Sequence, residues 1–292
     1  MDFDAVLHAI FNFENYGELL ALVQNSLWAG AVLGLLGGLV GTFVMKRDLA
    51  FAEHGISELS FAGAAFALLI GADVVAGSLA GSVVAALILG VMGVRARDKN
   101  STIGVLMPFG LGLGILFLSL YEGRAANKFG LLTGQIVSVG TVQLQVLAGA
   151  AVVVMLALLA IWRPLTFASV DPKVAAARGV PVRGLALGFM VLLGVSVALS
   201  IQIVGALLVL ALLITPAAAA LRVTSSPRLV VLLSVVFAVS ATVGGILLAL
   251  GGRLPISPYV TTLSFLIYVV CRIIGGVRTR RGLNGRTSPV AA

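Results

Sequence analysis

His54-Gly55-Ile56-Ser57-Glu58-Leu59-Ser60-Phe61-Ala62-Gly63-Ala64-Ala65-Phe66-Ala67-Leu68-Leu69-Ile70 is an apolar run long enough to cross a bilayer, with an imidazole and a carboxylate in its opening turns. An ionisable side chain at that depth costs roughly 2.5–3.5 kcal/mol on insertion scales, so such residues face a bundle interior or a watered cavity. His54 and Glu58 stand at i and i+4, where side chains project from one face of a helix and reach each other. The run marks a membrane protein with a polar spot in its interior.

The rest of the chain agrees. Of 292 residues, 60% are hydrophobic and only 10% charged, against about half and a quarter in soluble domains. Lipid is therefore the solvent, and backbone polar groups must be satisfied within helices or a closed barrel. The apolar runs lack the two-residue alternation of barrel strands, which selects helices. The predicted class is all-α, a polytopic helix bundle. The single cysteine, Cys271, excludes an internal disulfide and a cysteine-rich metal site. The net charge of +8 sits in short loops between apolar runs, which argues against a nucleic-acid partner. The first twenty residues lack the basic and apolar regions of a cleavable signal.

Nine spans are expected, at about 26–45, 54–70, 74–93, 102–121, 142–162, 185–201, 203–221, 229–250 and 259–274. The weakest boundary is at Gln202, the lone polar residue between two apolar runs; a single long or re-entrant segment is the competing reading there. Loop charge sets the orientation. With the N-terminus outside, sixteen of the 19 basic residues fall inside, leaving only Arg124, Lys128 and Arg253 outside. Residues 1–25 are then an external segment whose Val6, Ile10, Phe13, Leu19, Leu20 and Leu22 suit an interfacial helix. Residues 26–274 form the membrane domain, and 275–292 a basic cytoplasmic tail expected to be disordered.

Small residues at four-residue spacing, Gly30, Gly34 and Gly38 and again Gly77 and Gly81, let helices approach closely in lipid. Thr215 and Pro216 fall within a span, giving either a plain kink or freed carbonyls lining a cavity. The inside loop 163–184 contains a short helix signalled at its start by Asp171 and Pro172 and at its end by Gly179 and Pro181. That helix is either an ordinary interfacial element or a docking knob for a cytoplasmic partner. No Walker motif is visible, so energy must come from an ion gradient or a partner.

Five segments in order resemble one family. They are Gly37 to Arg47, Asp48 to Glu58, Asn100 to Val105, the Asp171 to Val182 loop, and Val204-Gly205-Ala206-Leu207-Leu208-Val209 running on to Thr215-Pro216-Ala217-Ala218-Ala219-Ala220. Together they are similar to the permease subunit of ABC importers for zinc, manganese or iron. The family pattern G-D-x-x-S-H lies over Glu53 to Glu58: His54 replaces the usual Asp, Ser57 is kept, and Glu58 replaces the usual His. Near the last span, where the family often has another ligand, this chain has Arg253.

The resemblance implies a non-enzymatic permease in a prokaryotic plasma membrane, carrying a divalent metal, zinc first and manganese or iron(II) as alternatives. His54 and Glu58, with Glu53 as a third oxygen donor, would contact the metal transiently. Asp171, Pro172, Lys173, Ala175, Arg178 and Gly179 would couple it to a separate ATPase. The implied partners are a second permease copy, two ATPase subunits, an extracytoplasmic metal-binding protein and membrane lipid. No cofactor is expected in this chain. The reading from another class is a secondary carrier relaying protons through His54 and Glu58, and the reading without function is a structural ion pair.

Overall fold

A computed structural model describes residues 16–92, 99–123, 130–131, 139–251 and 255–284, and the described residues are helical with no strand. In chain order the helices are α1 (Tyr16–Leu22), α2 (Gln24–Lys46), α3 (Ala50–Leu69), α4 (Val74–Met92), α5 (Lys99–Leu120), α6 (Thr141–Val170), α7 (Pro172–Ala177), α8 (Val182–Val204), α9 (Ala206–Leu213), α10 (Thr215–Val223), α11 (Pro227–Leu250) and α12 (Ile256–Asn284). Seven of them, α2, α4, α5, α6, α8, α11 and α12, are long and apolar enough to cross a membrane. The other two expected spans differ for separate physical reasons. Glu53, His54 and Glu58 dilute the apolar character of α3, and the stretch around Pro216 is divided into α9 and α10.

Chain breaks fall where backbone chemistry demands them. The turn expected at Gln202 lies instead at Gly205, with φ +82° and ψ 158°. One glutamine is tolerated within a helix, whereas this backbone conformation is open to glycine alone. Pro216 has no N–H to return to the Leu212 carbonyl, and the helix is interrupted just before it, at Ile214. Two boundaries move outward. α6 runs through Pro164 to Val170, taking up the first part of the expected inside loop, and α12 continues to Asn284 into the tail expected to be disordered.

Glycine and hydroxyl contacts set the packing. On α2, a Cβ at Gly34 or Gly38 would meet the α11 backbone at Val239 or Val235. Across this seam Ser234 Oγ donates to the Gly38 carbonyl at 2.9 Å, and Thr242 Oγ1 shares its proton between Ala238 O and Gly30 O at 2.9 and 3.0 Å. α3 meets α4 the same way: the Gly77 carbonyl fills the space beside Gly63, and the Leu59 carbonyl that beside Gly81. Ser60 and Ser78 hydroxyls lie 2.8 Å apart in that contact. α3 also packs on α5 and α8, which places it deep in the bundle. Fully buried Phe43 of α2 meets Trp162 of α6 edge-on at 4.7 Å and Phe189 of α8 at 5.9 Å, tying three helices together.

Of residues 1–25, expected to lie outside, the described part is 16–25, and Tyr16 of α1 donates to the Leu247 carbonyl at 3.2 Å. Val6, Ile10, Phe13, Arg95, Arg97, Arg124, Lys128 and Arg253 lie outside the described residues.

Candidate metal route and coupling helix

A tight corner delivers α3. After α2 ends, Asp48 adopts φ +55°, Leu49 N–H reaches the Val44 carbonyl at 2.9 Å and Asp48 N–H the Met45 carbonyl at 3.4 Å. This is a Schellman closure with aspartate in the left-handed position that short polar side chains tolerate.

Glu53, His54 and Glu58 follow within the first three turns of α3. The expected pair forms, with His54 Nε2 3.7 Å from Glu58 Oε1 and the two side chains 31% and 15% exposed. Glu53 is fully buried, and neither of its carboxylate oxygens has a hydrogen-bond partner; His54 Nδ1 is buried and unpartnered as well. Among the described residues no three His, Cys, Asp or Glu side chains converge into a metal cage. The chain therefore brings two donors together and holds Glu53 apart from them. An imidazole and a carboxylate form a mixed N/O set suited to first-row divalent metals. Leaving buried polar atoms unpaired costs about 1–3 kcal/mol each, so α3 carries a polar load that packing alone does not reward. Ser57 is buried on the same helix.

The short helix expected within residues 163–184 is α7. The Asp171 carboxylate caps it, accepting from Lys173 and Val174 N–H at 3.0 Å each, with Pro172 in the first turn. At the other end Gly179 has φ +80°, Gly179 N–H bonds Ala176 O at 3.0 Å and Val180 N–H bonds Ala175 O at 3.0 Å. Both ends are thus closed by local chemistry. Ala175 is fully buried and seats α7 on the bundle, whereas Lys173, Val174, Ala177 and Arg178 are exposed.

One residue in this region stood out in the sequence only as a loop charge and as the end of the Gly37 to Arg47 segment. Arg47, at the α2–α3 corner, donates to Ser169 Oγ on α6 at 3.2 Å and lies 5.9 Å from the Phe189 ring on α8. Only the packed helices reveal that it joins three elements.

Seven helices long and apolar enough to cross a membrane, a partly buried imidazole–carboxylate pair and a capped helix seated on the bundle suit a membrane transport subunit, and known proteins agree. The fold is similar to a chain of PsaBC from Streptococcus pneumoniae, solved in complex with Fab, with a TM-score of 0.78 and 25% identity over 88% of this chain and 94% of that one. The manganese transport system membrane protein MntC of Halalkalibacterium halodurans is 31% identical over 225 residues, 77% of each chain. The manganese import system permease protein ScaB of Streptococcus gordonii is 28% identical, covering 85% of this chain and 89% of its own. The high-affinity zinc uptake system membrane protein ZnuB of Haemophilus influenzae is 24% identical, covering 86% and 97%. Residues 20–275 match the ABC 3 transport family, and the chain belongs to it. It is a multi-pass permease of the prokaryotic plasma membrane and not an enzyme; ATP hydrolysis resides on a separate subunit.

Proposed function

We propose that this chain is the permease of an ABC importer for a divalent transition metal, that the metal passes the His54–Glu58 pair, and that manganese is the favoured cargo with zinc second. The observation that carries the reading is the imidazole–carboxylate contact on a helix deep in the bundle of a transport-family member. Two donors in one chain are too few to hold an ion tightly, which suits a protein that must release its cargo. A second permease copy would bring its own pair to the shared route. Both MntC and ScaB are named for manganese and ZnuB for zinc. The pair offers one carboxylate and one imidazole and no thiolate, which both ions accept, so the relatives' names carry the preference. Zinc, expected first from the sequence, therefore yields its place.

In this reading nine segments cross the membrane with the N-terminus outside: the seven long apolar helices, α3, and α9 together with α10. Glu53 lies farther along the route as a single oxygen donor. The exposed face of α7, formed by Lys173, Val174, Ala177 and Arg178, docks a cytoplasmic ATPase subunit, and an extracytoplasmic protein delivers the ion. Uptake of radioactive manganese and zinc in a strain lacking this gene tests the proposal. Manganese uptake should return with the wild-type gene and fall by on the order of tenfold or more with Glu58→Gln, with the protein still present in the membrane. Normal uptake by both Glu58→Gln and His54→Ala would make the pair structural.

A further inference from the structure

A cavity of about 790 Å³ opens at the end of the bundle where α7 sits, between the α2–α3 corner, the last turn of α6, and the first turns of α8. Its charge is lopsided. Lys46, Arg47, Lys173 and Arg183 line it against one carboxylate, Asp48. Arg47 is held in place by Ser169 Oγ at 3.2 Å and by the Phe189 ring. Half-burial pushes its guanidinium below the ordinary arginine value, a cost that an anion in the cavity would offset. The remaining wall is apolar, including Leu89 and Ile103. Beside these, Val91 on α4 and Val105 on α5 are 63% and 70% exposed, so an apolar surface runs from the cavity toward the lipid-facing side of the helices.

We infer that this cavity binds the phosphate headgroup of an anionic phospholipid, with Arg47 and Arg183 as its principal contacts and the acyl chains lying along α4 and α5. Basic pockets between membrane helices at the cytoplasmic surface suit such headgroups, and the volume lies within the range of small-ligand sites. A soluble phosphate would use the basic wall alone and leave the apolar one without a role. Because Pro172, Lys173 and Ala176 of α7 form part of the lining, a bound headgroup would brace α7 against the corner that begins α3.

Native mass spectrometry of the full-length protein, titrated with phosphatidylglycerol, phosphatidylcholine or inorganic phosphate, tests it. Phosphatidylglycerol should be retained in preference to phosphatidylcholine, and inorganic phosphate at equal concentration should not displace it. Arg47→Gln and Arg183→Gln should each weaken retention roughly fivefold, and Arg47→Lys should keep most of it. Arg183 is exposed, so its variant carries the test even if Arg47→Gln does not fold. Equal retention of the two lipids, unchanged retention in Arg183→Gln, or displacement by free phosphate would each overturn the assignment. Release of the lipid when the ATPase subunit is added would also overturn it, by assigning the basic wall to an acidic protein partner.

Discussion

Two carboxylates on α3 meet opposite fates. Glu58 faces an imidazole at 3.7 Å and keeps some exposure, whereas Glu53 is enclosed with both oxygens unpaired. The pairing was legible, because i and i+4 always share a helix face. The separation of Glu53 was legible in principle: five residues correspond to about 140° around a helix at 3.6 residues per turn. Its complete burial was not, since that depends on neighbours distant in sequence. An unpaired buried carboxylate is a liability to stability, so a purely structural role would leave its amide neutral or beneficial. Glu53→Gln is expected to keep the thermal midpoint of the purified protein and to lower manganese uptake by on the order of tenfold. A variant with unchanged uptake would remove Glu53 from the route.

Among the elements, α7 shows how much short-range chemistry can specify. Asp171-Pro172 and Gly179 announced both ends, and the caps form at those residues. The buried seat of Ala175 was invisible, because six residues show no reliable apolar periodicity. Gly179 has open space around it, so a methyl group meets no neighbour and only the positive φ resists substitution. Gly179→Ala should therefore cost about 1–2 kcal/mol, the left-handed penalty for an L-residue, and weaken co-purification of the ATPase subunit without loss of membrane insertion. Crosslinking should succeed from Val174→Cys or Arg178→Cys and fail from buried Ala175→Cys; efficient crosslinking from Ala175 alone would place the docking face elsewhere. Helix ends without such signals were misjudged. Gln202 drew attention by polarity while Gly205 made the break, and the span expected to end near residue 162 continues through Pro164 to Val170.

For the whole molecule, hydropathy and composition were enough to specify an all-helical membrane bundle, and the close helix contacts at Gly34, Gly38, Gly77 and Gly81 were foreshadowed by spacing, whereas the hydroxyl contacts beside them were not. The span count was harder, because the segments that depart from plain apolar helices, α3 and α9–α10, carry the polar groups and backbone breaks. The loop charges argue for both ends of the topology at once. A cytoplasmic reporter fused after Arg228 should read inside, and one after Lys128 should read outside; reversal of either breaks the nine-segment arrangement.

The proposed ATP-driven passage of a divalent metal by the His54–Glu58 pair can be measured in isolation. Its most direct test is reconstitution of the permease with its ATPase and delivery protein in liposomes, measuring manganese accumulation with ATP and without it. ATP-dependent accumulation is expected, abolished by Glu58→Gln while the assembled complex and its ATP hydrolysis persist. Accumulation driven by a proton gradient without ATP, or full ATP-dependent accumulation by the Glu58→Gln complex, would contradict it.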